Sequence, residues 1–300
     1  MKVKSDFRHC ALYKIFSKKR LAALLGFSLP RLIHLKANPP FKKFPRNVKG
    51  KIRIIEQPQG DLLLIHRKIK NLLDQIDLPE WVFSGRKGVS HIDNGRYHLR
   101  PRSFVLKMDI KKFYPSCKEK QVFRFFYKDL QMSSDCASLL SKLLTIEGHL
   151  PVGSSSSQLL AFWSYNQCFK SIFDLAGEYK IKMSLFVDDM VFSSGENFPK
   201  GFSFEVAKIL WRFGFSTKRS KTTFYGPKSF KRITGVIVPP DGRLLIPNSL
   251  LRKVIQERKN MRGKSHISDR LKGLFAASRQ IDPSFAFRLG EAFSEVETER

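Results

Sequence analysis

The chain has 300 residues, 42% of them hydrophobic, enough for one large domain or two to three smaller ones and too apolar for global disorder. Lys and Arg number 55 against 26 Asp and Glu, a net charge of +29; an excess of that size calls for a polyanionic partner, nucleic acid ahead of a membrane surface. No apolar run reaches the roughly 18 residues of a membrane span, and the four cysteines, Cys10, Cys117, Cys136 and Cys168, lack metal-ligand spacing, so they read as reduced, buried thiols of a cytoplasmic protein.

In chain order, residues 1–37 predict helix, with Ser17 or Ser28 as N-caps. The apolar run from Leu21 to Phe27 imitates a leader peptide, but Pro30, Arg31 and His34 follow at once, so it reads as a short amphipathic helix. The Pro-rich, basic stretch from Asn38 to Lys51 reads as a connector on a phosphate backbone. Alternation in Lys51-Ile52-Arg53-Ile54-Ile55 predicts a strand. Apolar residues at 62, 65, 69, 72, 73 and 76 predict a helix. Gly85-Arg86-Lys87-Gly88 is either an ordinary turn or a basic loop that approaches a nucleic-acid strand through its backbone N–H groups and cations.

Ser103 to Ile110 predicts a strand that delivers Asp109 at its end. Helices are expected at about 117–130 and 134–147. The run Pro151-Val152-Gly153 followed by Ser154 to Ser157 predicts a turn and a capped helix start, the helix running to about Ala176. Strands at about 181–187 and 190–194 flank Asp188-Asp189. A helix at about 201–213, strands at about 221–225 and 231–238, and basic helix from Asn248 onward complete the pattern.

Asp188 and Asp189 stand inside the apolar run from Ser184 to Phe192. Burying an ionised carboxylate without a partner costs several kcal/mol, and two side by side repel, pushing one toward its neutral form. A common surface turn is one reading of the pair. The other is the tip of a tight hairpin with Mg²⁺ as counter-charge, where a two-metal site serves phosphoryl transfer.

The order of these features chooses between them. A strand ending in Asp109 with aromatics at 113 and 114, a Pro-x-Gly-Ser turn, the Asp-Asp hairpin and a lysine-rich segment before a strand resembles the palm of reverse transcriptases. Phe186-Val187-Asp188-Asp189 looks like their Tyr-x-Asp-Asp box with Phe for Tyr, and Lys51 to Val238 can be laid onto the family's successive blocks. Within the family, Asn94-Gly95-Arg96-Tyr97-His98 resembles the Asn-Ala-x-x-His box of bacterial retron enzymes, and Ile233-Thr234-Gly235 their Val-Thr-Gly box. The chain length fits a stand-alone enzyme. Two departures stand out: the family's Pro-Gln-Gly is Pro151-Val152-Gly153 here, which removes a side-chain amide near the incoming sugar, and the Pro that usually follows is absent.

The resemblance implies an α+β right-hand fold with an antiparallel palm sheet: an N-terminal helical segment at 1–37, fingers at 38–102, palm at 103–240 and a helical thumb at 241–300. It implies an RNA-directed DNA polymerase that copies part of a structured non-coding RNA into DNA linked to RNA, in phage defence. Its partners would be that RNA, the RNA–DNA hybrid, deoxynucleotides and an effector protein, with no membrane. Asp109, Asp188 and Asp189 would hold two Mg²⁺ ions. Lys221 would protonate the leaving pyrophosphate, with Lys218 a rival. Lys51 and Arg53, otherwise a solvated strand face, would contact the triphosphate together with Val152 and Gly153. Tyr114, otherwise a core aromatic, would exclude a 2′-hydroxyl. Arg86, Lys87, His98 and the C-terminal cations Arg258, Lys259, Arg262 and Lys264 would bind nucleic acid. There, apolar residues at 250, 251, 255, 271, 274 and 275 would form the packed stripe. The alternatives are another defence-associated reverse transcriptase, a template-independent polymerase, or an RNA-binding protein on a dead polymerase fold; the intact aspartates speak against the last.

Overall fold

The computed structural model describes residues 6–48, 50–260 and 268–285. Two short helices open it, α1 (Lys18–Leu25) and α2 (Leu29–Ala37), and the hydroxyls of Ser17 and Ser28 cap them. The stretch expected to be a connector is instead a strand, β1 (Phe41–Val48), paired antiparallel with β2 (Lys51–Pro58). Proline masked this: Pro45 lies opposite Ile54, and a two-stranded ribbon consists only of edges, where a missing N–H is tolerated. Helix α3 (Gly60–Leu73) buries Leu62, Ile65, Ile69, Leu72 and Leu73, its expected stripe. Helix α4 (His91–Tyr97) starts at a reciprocal capping box between Ser90 and Asp93.

Strand β3 (Phe104–Asp109) follows, then α5 (Phe113–Ser116) and α6 (Glu119–Arg124), which runs into a π turn at Phe125–Asp129. Helices α7 (Ser134–Leu144), α8 (Ser157–Ser164) and α9 (Asn166–Glu178) build the bundle, with Tyr165 breaking the single helix expected after the serines. The hairpin β4 (Lys182–Phe186) and β5 (Asp189–Ser194), helix α10 (Phe202–Arg212) and β6 (Thr223–Tyr225) come next. The strand expected at 231–238 is a second small hairpin, β7 (Lys231–Ile233) and β8 (Val236–Val238), turning at Thr234-Gly235. Helices α11 (Asn248–Lys259) and α12 (Asp269–Ile281) end the described chain. Their seam takes Val254 rather than Ile255, which is 46% exposed. Position 254 falls at the middle of the stripe set by 250 and 251, whereas 255, one turn after 251, falls at its outer margin.

The central sheet has the order β4-β5-β3-β6, antiparallel throughout. Strand alternation gives it two unlike faces. Leu106 and Met108 on β3 lie opposite Phe192 and Met190 on β5, and these four enter the main core with the helices. Val105 and Val191 face the other way and pack with Ile233 and Val238 of the small hairpin. By the same alternation Lys107, Asp109 and Asp189 share that second face, at the end of the sheet beyond the hairpin. All four cysteines are free and buried. Among the described residues no helix is long and apolar enough to cross a membrane.

Candidate active site

The β4–β5 turn consists of Val187 and Asp188. Val187 has φ +60°, the left-handed region that costs a β-branched residue most. Its surroundings hold it there. The Val187 N–H donates to Ser84 Oγ at 2.9 Å. Leu185 is bonded on both sides to the preceding segment, its N–H to Trp81 O and its carbonyl to the Phe83 N–H, each at 2.9 Å. The Ile110 N–H donates to Asp188 O at 3.2 Å. Asp109 lies directly opposite Asp189 in the β3–β5 register. The connection after α10 runs along the same strand end: the Lys111 N–H donates to Ser216 O and the Lys218 N–H to Asp109 O. Asp109 of β3, Asp189 of β5 and Asp188 of the turn before it therefore meet at one corner of the sheet.

Asp109 is 5% exposed, and the Lys221 ammonium donates to its Oδ1. Of the two candidate lysines, Lys221 brings its charge to the cluster, whereas Lys218 contributes its backbone N–H. Asp188 is pushed up to about 6, first by burial and then by the charges of Asp189 and Asp109. Asp189 is also raised, chiefly by burial, with Asp109 adding to the rise and Lys107 and Lys221 opposing it. The cluster is thus short of positive charge. Among the described residues no group of three or more His, Cys, Asp or Glu side chains already forms a metal shell. A divalent ion of the Mg²⁺ type does not require one, since it takes one or two carboxylates and keeps waters or substrate phosphates as its other ligands. Asp109 and Asp188 fit that need.

Tyr114 on α5 is half-buried, its ring 5.3 Å from that of Phe113. Burial and the charge of Asp188 push its phenol well above the usual range. The Pro151–Gly153 turn docks on β2: the Glu56 N–H donates to Val152 O at 2.7 Å, and the Val152 N–H to Glu56 Oε2 at 3.2 Å. A Cβ on Gly153 would stand 2.7 Å from Ile55 Cγ2 and 3.3 Å from Glu56 O, so this close approach requires glycine.

The other expected residues stand on other elements. Lys51 and Arg53 are exposed on β2, opposite Val48 and Arg46. Arg86 is half-buried and donates to Glu80 O at 3.0 Å; Lys87 is exposed. Arg258 is half-buried and Lys259 exposed at the end of α11, while Arg262 and Lys264 lie outside the described residues. His98 is a correction. It is 1% exposed, with its ring nitrogens 2.7 Å from Ser193 Oγ and Ser184 Oγ, so it cannot touch a nucleic acid; it ties the residue after α4 to both strands of the aspartate hairpin.

Sequence reasoning passed over Lys107 and Ser84. Lys107 was findable, since strand alternation puts it on the face of Asp109 two residues on. Ser84 carried no local signal, because its partner is 103 positions away.

No family model matches the chain. It is 27% identical over 218 residues to the Retron Se72 reverse transcriptase of Salmonella heidelberg (strain 579083-10), covering 70% of this chain and 57% of that protein. It is 26% identical over 214 residues to the Retron Ec86 reverse transcriptase of Escherichia coli, 69% of this chain and 66% of the relative. With the Retron Ec83 reverse transcriptase of Escherichia coli it shares 26% over 271 residues, 84% and 86% of the two chains. The match thus spans less than two thirds of the first two relatives. Among solved structures, telomerase from Candida albicans in complex with a fragment of telomeric RNA superposes with a TM-score of 0.51 at 11% identity, over 81% of this chain and 55% of that one. The chain is thus similar in sequence to retron reverse transcriptases and similar in fold to the telomerase chain, an α+β arrangement of helices around an antiparallel sheet.

Proposed function

We propose that the chain is an RNA-directed DNA polymerase of retron type, which copies part of a structured RNA into single-stranded DNA joined to RNA, in the cytoplasm and in defence against phage with an effector protein. The observation that carries the chemistry is the register that sets Asp109 opposite Asp189, with Asp188 at the turn beside them and Lys221 on Asp109. In this reading fingers, palm and thumb correspond to 38–102, 103–240 and 241–300.

Asp109 and Asp188 would hold two Mg²⁺ ions, and Asp189 would support them. When bound, the ions supply charge neutralisation and activation for attack of a primer hydroxyl on the α-phosphorus of a nucleotide. The primer hydroxyl gives up its proton to solvent and the bond to pyrophosphate breaks as the new phosphodiester forms, while Lys221 Nζ gives a proton to the leaving pyrophosphate. Lys51 and Arg53 on the β-hairpin meet the triphosphate; Arg suits it through bidentate hydrogen bonds. The Val152-Gly153 turn, fixed to β2 through Glu56, lines the nucleotide from the other side. Tyr114 fills the space that a 2′-hydroxyl would need, which selects deoxynucleotides.

The test is Asp188→Ala with Asp189→Ala. DNA synthesis on a primed RNA template should vanish, while RNA binding, carried by the basic surface, should stay near the wild-type value. Retained primer extension overturns the assignment.

A further inference from the structure

Helix α10 turns Phe202, Val206 and Leu210 into the core. Its outer side is unlike that of an ordinary surface helix. Phe204 is 71% exposed and Trp211 75% exposed. Lys208 lies between them on the same stripe at helical spacing, Arg212 lies beside Trp211, and both cations are exposed. The acid nearest the stripe, Glu205, is half-buried at its margin. Two bare aromatic rings about 10 Å apart along a helix, interleaved with cations, form an arrangement that hydration alone does not favour.

Charge selects the occupant. An apolar partner would leave Lys208 and Arg212 unpaired, and the whole chain, at +29, favours a polyanion. A duplex hides its bases in its own stack, whereas a single strand offers a base face to each ring and a phosphate to each cation. The helix is joined to the carboxylate corner by a short stretch of chain. Within a few residues of Trp211 the chain reaches Ser216 to Lys218, whose backbone bonds to Lys111 and Asp109. Apart from Ser203 beside Phe204, this face offers no uncharged polar side chain to a 2′-hydroxyl, the group by which proteins tell RNA from DNA. We infer that the outer face of α10, through Phe204, Lys208, Trp211 and Arg212, is a stacking platform for single-stranded DNA. The source of that DNA, the newly made strand leaving the catalytic sheet, rests on the polymerase reading above.

Trp211 supplies its own probe. The other two tryptophans are buried, Trp81 at 8% and Trp163 at 2% exposure, so Trp211 is the one a solute reaches. An oligothymidylate of about a dozen nucleotides, added to the full chain, should quench the emission, and Trp211→Phe should abolish the quench. Phe204→Ala with Trp211→Ala should weaken oligothymidylate binding about tenfold, as should Phe204→Leu with Trp211→Leu, which keeps apolar bulk and removes the rings. Extension of a short primer–template should stay at the wild-type rate in both pairs. Unchanged affinity in the alanine pair, full affinity in the leucine pair, equal affinity for duplex, tighter binding of oligouridylate, or quenching by anionic phosphatidylserine vesicles but not by oligothymidylate would each overturn the platform. If Asp188→Asn still extends primers, the polymerase reading falls, and the oligothymidylate measurements still decide this one.

Discussion

Val187 sets the geometry on which the cluster depends. A left-handed conformation costs an L-residue about 1–2 kcal/mol, yet a hairpin with two turn residues needs positive φ to follow the twist of its strands. Glycine would serve more cheaply. The Ser84 hydroxyl, the bonds around Leu185 and the Ile110–Asp188 contact offset the strain and fix Asp188 next to Asp109. The Tyr114 ring is half-buried and packed against that of Phe113. A bulky ring fixed there can discriminate by sterics alone, without a hydrogen bond to the sugar. Tyr114→Ala should therefore admit ribonucleotides: the ratio of kcat/KM for dNTP over rNTP should fall by tenfold or more, about 1.4 kcal/mol of discrimination, with dNTP incorporation retained. An unchanged ratio would assign the gate to another residue.

At the scale of elements, the aspartate hairpin is clamped from the second face of the sheet. His98 bonds to Ser184 on β4 and Ser193 on β5, and burial, aided by the charge of Lys182, depresses its pKa to about 3. His66 on α3 is likewise depressed, to about 4, by burial, although its bond to Leu143 O opposes the shift. Both rings stay neutral in the folded protein, while in the unfolded chain each takes a proton below about 6.5. Their stabilising effect is complete above that pH and is lost as pH falls toward 3–4. The loss approaches about 1.4 kcal/mol per pH unit for each ring. Asp188, raised to about 6, acts in the opposite sense over part of this range, so a comparison of variants isolates the histidine. Urea unfolding of His98→Gln between pH 7 and 5 should show a shallower fall in stability than wild type; parallel slopes would mean that His98 is charged in the fold. This clamp was not legible from sequence, because both serines are distant in the chain and a histidine in a family box reads equally as a contact or as core. The Asp109 strand, the aspartate hairpin and α3 were legible, because apolar alternation or helical spacing marks them locally. Strand β1 was not, because proline is a valid sign of a break everywhere except at an edge. The two-strand form of 231–238 was hidden by its non-glycine turn residue Thr234, at φ +41°.

For the whole molecule, charge is the dominant feature, and its placement separates affinity from chemistry. The carboxylate corner is short of positive charge, whereas cations are spread over the β1–β2 hairpin, α10 and the C-terminal helices. Chemistry and grip can therefore be removed independently. On α11 and α12, Val254, Leu271 and Ile281 are buried, which leaves Lys253 and Lys259 exposed on the other sides. The proposal that this region grips the RNA backbone makes a quantitative demand. Each phosphate contact lowers log K by ~0.7–0.9 for each tenfold rise in salt, and shape supplies selectivity, because A-form grooves hide base edges from side chains. Replacing Arg258, Lys259, Arg262 and Lys264 together with Gln should weaken binding of the cognate structured RNA and reduce the salt slope by about one for each contact removed. Extension of a short generic primer at saturating template should change far less, since no carboxylate of the corner is touched. An unaltered salt slope would move recognition to the cations of the β1–β2 hairpin, Lys42, Arg46 and Arg53, which are also exposed.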